Sequence, residues 1–117
     1  MNEKEFKERT KQLALAVILL VEGLPNKKAA DILGRQVLRS ATSIGANYRA
    51  ACRAKSTAHM INKLKTVEEE SDETLYWLEL LTASDIVLPA KTTDLHKETN
   101  EILSMTVASL KTLRGRR

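Results

Sequence analysis

The chain has 117 residues, of which 43% are hydrophobic, 29% charged and 3% aromatic, with four glycines, two prolines and a formal net charge of +4. That length fits one domain and leaves no room for two, and the balance of apolar and charged residues excludes a disordered chain. Scarce aromatic and turn residues exclude an all-β domain, and the single cysteine, Cys52, excludes an internal disulfide framework and a four-thiolate zinc site.

Four segments carry helical periodicity. The first spans about 3–22 and stops at Gly23-Leu24-Pro25, a helix-ending glycine followed by a proline. It opens on alternating acids and bases, unlike the basic start and apolar stretch of a signal peptide, so the cytoplasm is the expected location. Its longest apolar run, 13–21, is far short of the roughly 20 residues that cross a bilayer. The second helix spans about 26–54, with Leu33, Val37, Ser40, Ile44, Asn47 and Ala51 recurring at alternating spacings of four and three. The third spans about 56–83, opens on Ser56 as N-cap, and carries the seam Met60, Leu64, Val67, Ser71, Thr74, Leu78 and Leu81. After the break SDIVLPAK, the fourth spans about 93–113 with Leu95, Ile102, Thr106, Leu110 and Leu113. Helices this long on short connections pack antiparallel to their sequence neighbours. The expected fold is all-α, one antiparallel up-down-up-down four-helix bundle occupying residues 1–117.

Two helices carry more apolar surface than one bundle core uses. The first is apolar on every side over 13–21, and the third has Trp77 and Leu80 beside its main seam. Large exposed apolar patches mark interfaces. Leu15, Ile18, Leu19, Trp77 and Leu80 are therefore expected between copies of the chain.

Chemistry-bearing patterns are sparse. The histidines, His59 and His96, follow Ser56 and Thr93 by three residues, so the Glu-x-x-His pairs of a di-iron bundle are missing. The acidic run Glu68-Glu69-Glu70 with Asp72 and Glu73 reads as a solvated, ion-pairing face. Cys52 has basic neighbours (Arg49, Arg53 and Lys55) but no base arrangement beside it, and reads as a small packing residue. Phosphate-loop, dinucleotide and nucleophile-elbow motifs do not occur. The expectation is a protein with no enzymatic activity, no cofactor and no metal.

Charge is strongly segregated along the chain. Residues 23–66 carry net +8 and residues 67–103 net −8, while the last 14 contribute +4. Antiparallel packing about a turn near Lys55-Ser56 sets residue i level with about residue 111 − i. Arg35 and Arg39 then meet Glu69, Asp72 and Glu73. Arg49, Arg53, Lys55, Lys63 and Lys65 gather near the turn with no acid beside them, and the returning fourth helix adds Arg114, Arg116 and Arg117. A basic end of this kind is an electrostatic footprint for nucleic acid. Arg39, Ser43 and Asn47, at i, i+4 and i+8, line one face and are expected to hydrogen-bond with Glu70 and Glu73.

The stretches RQVLRSATSIGANYRAACRAKS and KLKTVEEESDETLYWLELL resemble a bacterial family, the four-helix bundle proteins encoded in intervening sequences of 23S ribosomal RNA genes. Arg39, the Ser43-Ile44-x-x-Asn47 group, the Ala54-Lys55-Ser56 turn and the Glu70-x-x-Glu73-x-x-x-Trp77-Leu78 run carry the resemblance. It covers the first three helices well and the fourth in length and pattern. Gly45 and Ala46 stand where many members have proline and alanine, which marks a variant branch. The resemblance implies a homopentamer without enzymatic activity. It also implies kinship with accessory proteins of the reverse transcriptases of diversity-generating retroelements, which bind nucleic acid. Two functions stand side by side at this point: an oligomer that binds RNA or a ribonucleoprotein partner through its basic end, and a structural adaptor that holds a protein partner without touching nucleic acid.

Overall fold

The computed structural model describes residues 2–115. Four α-helices stand in chain order: α1 (Glu3–Glu22), α2 (Lys28–Cys52), α3 (Thr57–Ala83) and α4 (Thr93–Gly115). A 3₁₀ turn at Pro89–Lys91 leads into α4. The helices pack as an antiparallel bundle with extents of 48 × 20 × 20 Å. No helix among the described residues is long and apolar enough to cross a membrane.

Local chemistry explains the boundaries. Asn2 caps α1 by accepting the Glu5 N–H at 2.8 Å, and Ser56 caps α3 by accepting the His59 N–H at 3.1 Å. Pro25 and Asn26 stay outside α2, which opens two residues later than the periodicity predicts, behind an extended Lys27 without a side-chain cap. Its other end stops at Cys52, two residues early, because residues 53–56 are needed for the turn into α3. After α3 the chain passes through Asp85, whose φ of 62° is the one positive value at a non-glycine residue among those described.

The buried seam follows most of the periodic positions, but Leu33, Asn47, Met60, Leu95 and Leu113 are only half-buried, and Ile61 rather than Met60 is buried at the start of α3. Val17, Val37, Ile44, Val67, Leu81 and Ile102 are fully buried and form one cluster. Small hydroxyl residues fill the remaining core positions, and Thr10, Thr74, Thr99 and Thr106 return their hydroxyl hydrogen to a carbonyl one turn back within their own helices, whereas the buried Ser71 hydroxyl has no partner. Thr74 also lies 2.8 Å from the Ser40 hydroxyl, a fully buried polar link between α2 and α3. Gly45 lets α1 approach α2: a Cβ there would stand 3.2 Å from Thr10 Oγ1.

Candidate nucleic-acid interface

One pole of the bundle collects the start of α1, the end of α2, the start of α3 and the end of α4. Arg49, Arg53, Lys55, Lys65 and Arg114 are exposed there and Lys63 is half-buried. None of the six forms an ion pair within the described residues. Arg116 and Arg117 lie outside the described residues. Lys111, one turn before Arg114 on α4, is a further exposed cation at this pole. Sequence reasoning missed it as a site residue, although its i, i+3 spacing from Arg114 was available.

Away from the pole, arginines are neutralised. Arg9 on α1 grips α4, donating to both oxygens of Glu98 and, at 3.0 Å, to Glu101. These carboxylates hold the Arg9 guanidinium above its ordinary value. Arg39 reaches Glu73 at 3.0 Å and Glu70 at 3.6 Å. Arg35 differs from expectation: it pairs with Asp31 one turn back at 3.3 Å rather than crossing to α3. Its outward position on α2 leaves the side chain 78% exposed, where the local i, i+4 partner wins.

The expected network on this face is partial. Arg39 joins both glutamates, but its side chain is 53% exposed. Ser43 and Asn47 do not join them: Asn47 Nδ2 donates instead to the Ser43 carbonyl at 2.9 Å. Both side chains are too short to cross to a neighbouring helix from half-buried positions, and a backbone acceptor one turn back lies closer. Burial pushes the Glu70 carboxyl above its ordinary value, against the opposing pull of Arg39. Glu70 Oε2 and Trp77 Nε1 are buried without a hydrogen-bond partner.

The residues expected at an interface divide. Leu15, Ile18 and Leu19 are 44%, 37% and 76% exposed, so one side of α1 presents apolar surface to solvent. Trp77 is half-buried and packs against the core cluster, and Leu80 is half-buried too.

His59 is exposed, while His96 Nε2 lies 2.9 Å from Glu79 Oε2. Among the described residues no cluster of three or more histidines, cysteines or acids could hold a metal ion. Cys52 is half-buried, and burial pushes its thiol above its ordinary value, away from the reactive thiolate. It faces an apolar cleft of about 450 Å³ that opens at the basic pole.

Comparison with known proteins agrees with the four-helix fold. The family model for the 23S rRNA-intervening sequence protein matches residues 2–108. A crystal structure of a protein with unknown function from the S23 ribosomal protein family of Bacteroides thetaiotaomicron VPI-5482 is 33% identical in sequence. The match covers 95% of this chain and 99% of that one, with a TM-score of 0.87. No curated protein matches the chain.

Proposed function

We propose, for a chain that belongs to the 23S rRNA-intervening sequence protein family, a non-enzymatic role: copies of the bundle associate with one another and bind RNA through the phosphate backbone at the basic pole. One contrast carries this reading. Arg9, Arg35 and Arg39 each have a carboxylate partner, whereas the cations around the 53–56 turn form no ion pair among the described residues. Unpaired cations at one end of a rod attract a polyanion over several ångströms and meet its phosphates with little reading of sequence.

Self-association rests on the exposed Leu15, Ile18 and Leu19 with Trp77 and Leu80 on another side of the bundle. Two different patches that meet head-to-tail generate a ring when the rotation closes. The family resemblance implies five copies. In a ring with parallel axes the basic poles fall on one face, and weak phosphate contacts add through multivalency.

The test is RNA binding across a salt series. The parent protein should bind RNA at about 50 mM salt and lose most of its affinity by about 200 mM. The double variant Arg49→Glu and Arg53→Glu should keep its oligomeric state by light scattering and lose the RNA. If that variant binds as tightly as the parent, the cations are solvated surface. The adaptor reading, in which the apolar side of α1 holds a protein partner, then takes over.

A further inference from the structure

The cleft at the basic pole gives the RNA reading a more specific form. Below the Arg9 clasp, α4 lines the gap toward α1 with the small side chains Ala108, Ser109 and Thr112, and so the two helices leave a space between them. The floor comes from α2 and α3: Tyr48 and Leu64. The Tyr48 ring packs against Phe6 with centroids 4.3 Å apart, which holds it in place. The rim is polar, with the Glu3 carboxylate, the Cys52 thiol and the α4 hydroxyls.

Its charge pattern separates this cleft from the surface around it. No lysine or arginine lines it, and its one ionised lining group is Glu3, which Lys7 pairs at 3.0 Å and holds below the ordinary carboxylate range. The cations of the same pole stand around it. A phosphate therefore has no partner inside and many outside. A flat group with apolar faces and N–H donors on its edge has the reverse preference: its faces suit the apolar walls and its edge suits a carboxylate and hydroxyls. A nucleobase is such a group, and a base with its ribose fits within about 450 Å³.

We propose that this cleft receives one unpaired nucleobase of a bound RNA, while the surrounding cations hold the flanking phosphates. Resting on the RNA reading, it narrows the ligand to single-stranded or looped RNA, because a base inside a duplex is stacked and paired and cannot enter. Duplex RNA then contacts the outer cations alone.

Anisotropy titrations at fixed salt should show an unstructured ten-nucleotide RNA strand binding about tenfold more tightly than a blunt duplex of equal length, in line with the energy of seating one base. Ala108 is exposed, so Ala108→Trp should fill the cleft without unfolding the bundle, and Ser109→Phe serves if it does not. The filled variant should bind both RNA forms with duplex-like affinity. Free guanosine, which has no phosphate, should slow alkylation of the single thiol Cys52 by N-ethylmaleimide in the parent and have no effect in the filled variant. If the parent binds both forms equally, if the filled variant keeps the preference, or if guanosine gives no protection, the cleft assignment fails while RNA binding at the pole stands. If the parent binds neither form, both fall together.

Discussion

Two sets of cations share this bundle and differ in what surrounds them. At mid-height Arg39 lies against Glu73 and Glu70, and Arg9 against Glu98 and Glu101, each joining two helices. At the 53–56 turn Arg49 and Arg53 form no ion pair among the described residues. The first set ties helices together and the second forms no ion pair among the described residues. Net basicity alone could not make this distinction, because both sets count equally toward the charge.

The sharpest way to test that division is to perturb the middle of the bundle and look for an effect at the pole. Thr74→Val removes the buried link to Ser40, whose hydroxyl keeps only its donation to the Val37 carbonyl at 3.3 Å. The loss should be about 1–3 kcal/mol, read as a fall of several degrees in the thermal midpoint, with RNA affinity unchanged. Arg39→Ala should have a smaller effect, about 1 kcal/mol, because the pair is half-exposed although Glu70 beneath it is not. The loss should be largest at neutral pH and vanish in acid, where the carboxylates are protonated and Arg39 has no charge left to meet. Differential denaturation of parent and variant from pH 3 to 7 would show it.

Glu70→Gln should act in the opposite direction. The folded protein holds the Glu70 carboxyl above its ordinary value, so the native state retains a proton that the unfolded chain has released. This group therefore erodes stability as pH rises from the ordinary carboxylate range through the raised value. The glutamine variant should be slightly more stable than the parent at neutral pH and equal to it in acid. At the pole, Arg49→Glu with Arg53→Glu should move stability by no more than about 0.5 kcal/mol. A large loss from that double variant would break the comparison, because it would place the free cations in the fold.

Most of the fold was legible because the apolar spacing of α2 and α3 is regular and because Ser56 marks a start that a side chain then caps. The register followed from the position of the turn, and it placed Arg39 opposite Glu73 correctly. Less legible was how a side chain chooses between partners. Arg35 has Asp31 on its own helix and acids across the bundle, and only its outward angle decides. Asn47 and Ser43 share a face with Arg39, but a common face does not give a short side chain the reach to cross it. The cleft was hidden for a related reason. It depends on small residues of α4 facing the first turn of α1, a pairing far apart in sequence.

The elongated shape has an electrostatic consequence of its own. Charge is sorted along an axis of 48 Å, with the acids of α3 and α4 concentrated away from the 53–56 turn. The molecule is thus a permanent dipole that turns its cationic end toward a polyanion before contact. At physiological ionic strength fields fade over about 8 Å, so an RNA at one end does not feel the acids at the other. The same screening acts with the opposite sign between subunits. Bundles lying side by side with parallel axes set like ends together, and added salt relaxes that repulsion. Salt that strips RNA from the basic face should leave a parallel ring more firmly closed.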